Sequence, residues 1–543
     1  MAERIFLGVA WPTPNGSLHL GHAAGCYLPA DLFARYHRLV GDEVLMVSGT
    51  DQHGTPVTAR AEAEGVSPAE IAARYHAEYL DCWRRLGISF DLFTTTGTAN
   101  HRRVVHDLFG GLRARGHLEE RETPVAFCPA CDRALPDRYV EGTCRHCGSL
   151  SARGDQCPDC GRPLDPADLG QPRCRRCGGP AGLRPSSHVF LRLDDFQARL
   201  EEWVERQTHW RPNVRGVARA WLTEGLRPRA ITRDLSWGVP VPLDGFPEKR
   251  IYVWFEAVCG YLSAAVEWAQ RRGDPDAWRS FWEEPARHVY FLGKDNIFFH
   301  TVVWPAILLG NDLKLPDDVP ANENLTLEGK PFSTSRGHAV WLPDFLAQHE
   351  PDPLRFYLSL NMPETGDADF SWDRFVETND GELVGTWGNL VHRVLTFVQR
   401  RFDGRVPSPG PSRPADLALA EAAAASLPRV GALLAGCRFR DGLREALGLA
   451  REANRYLDAR APWKEDDLAC ATTLHAALGA IETLKVAFAP FLPFSAARLH
   501  GLLGHDDPLE EQGWRPRQPR PGARLPRPEP LFRKIGDSLS VPS

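Results

Sequence analysis

Apolar and polar positions first group into short blocks. Residues 5–10, "IFLGVA", are an unbroken apolar run that closes in "WPTPNG". So short a run, bounded by Pro and Gly, predicts a buried strand and a loop. A helix is expected to follow from about Ser17, a residue suited to an N-cap. "EVLMVSGTD" predicts a second strand ending in a polar loop, and "AEIAARYHAEYLDCWRRLG" has helical spacing. Strand, loop and helix in repetition predict a parallel α/β sheet.

The pattern breaks near Gly116. As far as about Leu183 the chain is rich in Cys, Pro, Gly and Arg. It then resumes with "HVFLRLDDF", "RIYVWFEAVCGYLSAA" and "RHVYFLGKDNIFFHTVVWPAIL". An α/β domain interrupted by an inserted module accounts for this. After about Phe375 the spacing is helical throughout, from "LVGTWGNLVHRVLTFVQRRF" to "LHAALGAIETLKVAF". "GRVPSPGPSRP" at 404–414 reads as a loop between helices. The proline- and arginine-rich segment 515–530 reads as extended chain.

Length and composition narrow the picture. At 543 residues the chain exceeds a single core. Hydrophobic content of 43% and charged content of 25% are those of a globular protein. A net charge of −6 argues against general nucleic-acid binding, although a local basic face would suffice for a specific one. No apolar run approaches the roughly 20 residues that span a bilayer. The N-terminus lacks an apolar stretch followed by a small-residue cleavage site. A cytoplasmic protein with no membrane partner is expected.

Of thirteen cysteines, eight form four CxxC pairs: Cys128/Cys131, Cys144/Cys147, Cys157/Cys160 and Cys174/Cys177. Each pair can give two thiolates to a tetrahedral zinc, so eight sulfurs match two structural Zn²⁺ ions. Gly follows the second Cys in "GTCRHCG", "DQCPDCG" and "PRCRRCG", where a knuckle needs positive φ. Spacing leaves sequential and nested pairing open. The assignment adopted is nested, with Cys144, Cys147, Cys157 and Cys160 on one ion and Cys128, Cys131, Cys174 and Cys177 on the other. His146 is a spare ligand. Cys26, Cys82, Cys259, Cys437 and Cys470 read as buried thiols.

"HLGH" places His19 and His22 three apart. A metal site there needs a third ligand. The stretch instead follows "PNGS" in the first strand-to-helix turn, where a doubly wound sheet holds nucleotide phosphates. Gly21 would let an adenine or ribose approach the backbone.

With these residues in place, the chain resembles the class I aminoacyl-tRNA synthetases, whose signature is HxGH. "GTDQHGTP", "IYVWFEAVCGY", "FLGKDNIFFHTVVWP", "GKPFSTSRG", "GNLVHR" and "NRYLDARAPW" follow in the order found in methionyl-tRNA synthetases. The resemblance covers nearly the whole chain, and the cysteine segment is similar to the two-knuckle version. It implies a Rossmann-type catalytic domain in two halves, 1–115 and 231–320. A zinc-knuckle insertion would occupy 116–230, a KMSKS-like loop and stem-contact region 321–377, and a helical anticodon-binding domain 378–543.

The resemblance also implies an activity. Methionine and ATP would form methionyl-adenylate, and the methionyl group would pass to tRNA with a CAU anticodon. His19 and His22 would hold ATP phosphates beside Gly21, Lys294 would add a cation, and Mg²⁺ would accompany ATP. Asp51 would pair with the methionine ammonium. Ala10, Trp11, Thr13, Trp254, Ala257, Tyr261 and His300 would line the thioether pocket, where aromatic walls suit a polarizable sulfur. Thr13 departs from the family's usual tyrosine. The second signature departs further, with Pro331 and Thr334 at the lysine positions of KMSKS. Ser333 and Ser335 match, Thr334 would still meet ATP, and Lys330 and Arg336 would supply charge from shifted positions. Asn389, Arg393 and Trp463 would read the anticodon, and Asn454 would be structural. "QRRFDGR" and the arginines of 515–527 would touch phosphates. With no dimerisation domain after the helices, a monomer is expected. Two alternatives are a paralogue that activates methionine or an analogue for another acceptor, and a non-catalytic zinc and RNA-binding homologue.

Overall fold

Five parallel strands form the first domain: β1 (Arg4–Val9), β2 (Glu43–Thr50), β3 (Leu92–Thr95), β4 (Arg287–Gly293) and β5 (Ala321–Asn322). The computed structural model describes residues 2–536 apart from 137–138, 155, 161, 163, 165 and 333–336. The strand order is β5-β4-β1-β2-β3, with Ile5 registered against Val44 on one side and Arg287 on the other. Strands covered on both faces need apolar side chains at every position. Accordingly Ile5, Phe6, Leu7 and Val9 are all buried. The order reverses between β1 and β4, so the loops after these two strands diverge and leave a crevice.

The helix after β1 starts later than the sequence suggests. Its N-cap is His19, not Ser17, and it runs from Leu20 to Val40 through a widened π turn at Ala23–Tyr27. The cause is tertiary. Leu20 N donates to Val340 O at 3.1 Å and Leu342 N to Leu18 O at 2.7 Å, which holds residues 18–20 extended. The Ser17 hydroxyl donates to Glu78 instead of capping, at 3.2 Å.

The insertion leaves the sheet on a long antiparallel stem. Leu118–Cys128 pairs with Gly182–Leu191, from Leu118 opposite Leu191 to Phe127 opposite Gly182. "HVFLRLDDF" therefore begins as the return arm of this stem and does not rejoin the parallel sheet, which resumes only at β4. An apolar strand carries no mark of which sheet it will enter. The knuckles beyond the stem have a small core of their own, including Leu135, Val140, Ala152 and Leu169.

Helices Asn389–Arg401, Pro414–Ala435, Phe439–Arg460, Asp467–Phe488 and Pro493–Leu502 make the second domain. Pro414–Ala435 is long and apolar enough to cross a bilayer, but it buries Leu419, Leu427, Val430 and Leu434. The tail returns to the first domain, where Trp514 N donates to Leu39 O at 2.7 Å. One side chain clamps the two domains. Arg355, wholly buried, donates to Asp31 and Pro490 O at 2.7 Å, Phe491 O at 2.9 Å and Leu86 O at 3.2 Å. Burial works to raise the Asp31 carboxyl, but Arg35 and Arg355 outweigh it and hold it at about 2.

Candidate active site

The crevice between β1 and β4 collects most of the residues singled out above. His19 and His22 lie ring against ring, with centroids 3.8 Å apart. His19 N–H donates to His22 Nδ1 at 3.0 Å. An accepting Nδ1 leaves the proton of a neutral imidazole on Nε2, so His22 presents a donor. Burial lowers both rings, His19 to about 2, with His22 adding to the effect, and His22 to about 4. Both are therefore neutral hydrogen-bond donors rather than cations at pH 7. The Nδ1 of His19 is buried without a partner. Gly21 has a reason of its own here, since a Cβ would meet His19 Nδ1 at 2.9 Å. On its other face His19 stacks on Phe332, centroids 4.7 Å apart and planes 12° from parallel.

Asp51 sits at the end of β2, with its backbone N–H on Pro12 O at 2.9 Å. The residue is buried and its Oδ1 has no hydrogen-bond partner. Burial pushes its carboxyl up to about 8, the negative charge of Glu256 adds to that, and His53 opposes it. No ion pair to Asp51 is present among the described residues, and His53 only partly offsets the burial. Glu256 is wholly buried and is held by His53 Nδ1 at 2.8 and 3.0 Å and by His101 Nε2 at 3.3 Å. Burial works against protonation of His53, but the Glu256 carboxylate outweighs it and raises that pKa.

Beside Asp51 lies an aromatic slot. The Trp11 ring fills the space left by Gly49 and Gly260, and a Cβ on Gly260 would come within 2.8 Å of it. Its Nε1 is buried without a partner. His300 Nδ1 donates to Asn296 O at 2.9 Å, so its Nε2 accepts the Tyr261 hydroxyl at 2.6 Å. Burial brings His300 down to about 4, which keeps it neutral. Trp254 stacks on Phe299 at 4.2 Å, one turn from the buried Ala257. Ala10 O accepts the Tyr27 hydroxyl at 2.9 Å, and Thr13 O accepts that of Tyr79 at 3.1 Å.

Lys294 opens the loop after β4, but it is not a free cation. Its ammonium binds Glu323 at 2.9 Å and Asp367 at 3.1 Å. Lys330 is exposed on the two-residue strand Lys330–Pro331. Ser333, Thr334, Ser335 and Arg336 lie outside the described residues.

The cysteines meet in two nested sets, Cys128, Cys131, Cys174 and Cys177, and Cys144, Cys147, Cys157 and Cys160. Within each set the sulfurs lie within 4.8 Å of one another, and three cross-pairs are 3.5, 3.6 and 3.9 Å apart. Four sulfurs at about 2.3 Å from one tetrahedral ion are about 3.8 Å apart, so both sets fit zinc. His146 stands outside them. Gly148 and Gly178 take positive φ after their cysteines, and Asp132 does the same at the first knuckle. Cys26, Cys82, Cys259, Cys437 and Cys470 are all buried.

At the far end, Asn389 is exposed and Arg393 lies over Trp463, 5.7 Å from its centroid, while donating to Asp458 at 2.9 Å. Trp463 is 46% exposed. Asn454 Nδ2 bonds Thr386 O and Ala450 O, both at 3.0 Å, which ties two helices together.

His53, Glu256, His101 and Phe332 are absent from the sequence-derived set. Their partners are distant in the chain, 203 positions for His53 and Glu256 and farther still for Phe332 and His19, so nothing local marks them. A signal does exist in the helices. Widened π turns often mark functional sites. Here they sit at Ala23–Tyr27 after HLGH, at Phe299–Val303 around His300, and at Thr378–Gly388 before Asn389.

The family model described as tRNA synthetases class I (M) matches residues 5–395. That of the anticodon binding domain of methionyl tRNA ligase matches 406–540. The methionine–tRNA ligase of Thermomicrobium roseum is 51% identical, and that of a Dehalococcoides mccartyi strain 53%, each over 99% of this chain and 98% of its own. The methionyl-tRNA synthetase of Mycobacterium tuberculosis in complex with methionyl-adenylate superposes with a TM-score of 0.81 at 27% identity, over 98% of this chain and 99% of its own. Its free-state structure gives 0.74 at 25% identity, over 98% of each chain. With both parts of its length matched in order and relatives above 50% identity along all of it, the chain belongs to the methionyl-tRNA synthetase family of class I tRNA synthetases.

Proposed function

We propose that this chain is a methionine–tRNA ligase that uses the β1/β4 crevice for both of its steps. In the first, a methionine carboxylate oxygen attacks the α-phosphorus of ATP, a P–O bond forms, and pyrophosphate leaves with the electrons of the broken anhydride bond. In the second, a hydroxyl of the terminal adenosine of tRNA attacks the methionyl carbonyl, loses its proton, and AMP leaves. Neither step needs an enzyme nucleophile. The protein positions the reactants and stabilises charge on phosphate oxygens.

The observation that carries this reading is the buried Asp51 carboxyl, with one oxygen unpartnered, at the end of β2 beside the slot that holds Trp11. A buried carboxyl lacking a cation suits an α-ammonium. The slot formed by Ala10, Trp11, Thr13, Trp254, Ala257, Tyr261 and His300 suits a thioether. With His300 Nε2 and the Tyr261 hydroxyl satisfying each other, little polar demand remains on that wall. The Nε2–H of His22 is a pre-set donor for the phosphates, and His19 joins it once its ring parts from Phe332. Gly21, Lys294, Lys330 and the loop residues Ser333, Thr334, Ser335 and Arg336 complete the nucleotide side, with Mg²⁺ entering as part of the ATP substrate.

The two cysteine sets hold structural zinc, which when bound cross-links the knuckles around their small core. Asn389, Arg393 and Trp463 read the CAU anticodon. Arg393 reaches a base by leaving Asp458, and Trp463 stacks on an unpaired one. Work is divided as the sequence suggests, with chemistry in 1–115 and 231–320, the zinc insertion at 116–230, a stem-contact region at 321–377 and tRNA reading in 378–543. The chain acts as a monomer in the cytoplasm.

The test is methionine-dependent exchange of labelled pyrophosphate into ATP, followed by charging of a CAU-anticodon tRNA. Both are expected. Exchange without charging would favour the paralogue with another acceptor. Absence of both would leave a zinc and RNA-binding homologue.

A further inference from the structure

The sheet itself brings Lys294 and Glu323 together. β4 and β5 run parallel with Gly293 registered against Asn322, so the next residue of each strand leaves at the same edge. This is the carboxyl edge, where an open parallel sheet binds its ligands. Asn322 Nδ2 donates to Ala24 O at 2.9 Å, which ties this edge to the helix that begins with HLGH. The Lys294 ammonium lies 2.9 Å from Glu323 and 3.1 Å from Asp367. Asp367 stands just before the strand Ala368–Phe370, which pairs with Leu325–Leu327, and that strand pairs in turn with Lys330–Pro331. One ammonium thus joins the ends of β4 and β5 to the hairpin from which the phosphate loop starts.

The two carboxylates are anchored independently of the lysine. Glu323 Oε1 accepts the Asn213 amide at 2.8 Å, and Glu323 N donates to Pro363 O at 2.7 Å. Asp367 Oδ1 accepts the Asn324 N–H at 2.9 Å. Departure of the ammonium leaves each with a neutral donor. The Lys294 side chain is 30% exposed and that of Asp367 52%, so water reaches the pair as well. Arg355 and Asp31 are the contrast, because both are wholly buried and separation would strand a charge. Burial works against the Lys294 charge, but Glu323 and Asp367 outweigh it and raise its pKa. The ammonium is a charged group on a long flexible stem, in a pair that can open.

We propose that Glu323 and Asp367 are positioning residues for ATP: they withhold Lys294 from the nucleotide side of the crevice until a triphosphate draws the ammonium away from them. The assignment rests on the adenylate-forming reading above and deepens it. A partly exposed ion pair is weak, so several phosphate charges at one place compete for the cation. The single phosphate of AMP competes less well. Among the described residues neither carboxylate forms another ion pair, so both draw Lys294 back once pyrophosphate has left.

The test is methionine-dependent pyrophosphate exchange with the full chain, comparing E323Q/D367N, K294M and the triple variant with the wild type. The two amides can keep the bonds from Asn213 and Asn324 and remove only charge. E323Q/D367N should lower the ATP KM about two- to tenfold, the worth of two partly exposed pairs, and leave the methionine KM unchanged. K294M should raise the ATP KM. In the K294M background the two amides should have no such effect, because no cation is left to release. A fall of the same size in that background would mean plain repulsion between carboxylates and phosphates, and would overturn the proposal. So would an ATP KM that is unchanged or raised in E323Q/D367N, or unchanged in K294M. Should the thermal midpoint show that the double variant folds poorly, E323Q alone is read in the same way. Absence of exchange in the wild type would instead remove the adenylate reading, and this proposal with it.

Discussion

Methionine binding should be coupled to loss of a proton from Asp51. The side chain is buried, one of its oxygens is unpartnered, and burial together with Glu256 pushes it up to about 8. An ammonium needs the ionised carboxylate. At pH 7 a group titrating near 8 is about 10% ionised, so binding there carries a penalty of about 1.4 kcal/mol, about tenfold in KM. Between pH 6.5 and 8 the ionised fraction rises about fifteenfold, and the methionine KM should fall by a similar factor. The assay is pyrophosphate exchange across that range at constant ionic strength. Calorimetry in two buffers of different ionisation enthalpy should show about 0.9 proton released per methionine at pH 7. Asp51→Asn should flatten the pH dependence and raise KM by about 10- to 150-fold, the worth of a charge-assisted hydrogen bond of about 1.5–3 kcal/mol. A methionine KM that stays level from pH 6.5 to 8, with no proton released, would refute the argument that Asp51 is an unsatisfied carboxyl in the free enzyme.

Three further outcomes follow from the geometry. His22→Ala should lower kcat of adenylate formation by about 10²–10³, as loss of one preorganised donor does, whereas His22→Gln, which can present its amide near the old Nε2, should retain part of it. Because burial holds His19 at about 2 and His22 at about 4, neither ring should contribute a limb to the kcat profile between pH 5.5 and 8. Zinc analysis should find two ions per chain, and Cys157→Ser should lose one. Chelation should deprotect amides across 139–177 in hydrogen exchange while β1, β2 and β4 stay protected, because the knuckles have a separate core. Arg355→Met should destabilise the protein by about 3–5 kcal/mol, since Asp31 loses a buried partner, and the added change Asp31→Asn should restore part of the lost thermal midpoint.

Much of this chain is legible without coordinates because its elements have local causes. The apolar run at 5–10 is a strand since only a doubly covered strand uses every position. The four CxxC pairs announce knuckles because thiolate spacing is a local matter, and the exposed Asn389–Arg393 face follows from helical period. Tertiary structure decided what depends on distant partners. The HLGH helix begins at Leu20 because residues 340–342 hold 18–20 extended. "HVFLRLDDF" enters the stem rather than the main sheet because its edge meets Leu118–Cys128. Lys294 is ion-paired because Glu323 and Asp367 arrive beside it. The nesting of the cysteines, the Glu256–His53–His101 cluster and the elevated Asp51 all arise from burial among groups far apart in the chain. Spacing along a chain determines which side chains are offered together, and packing alone determines which charges are left without water or a partner.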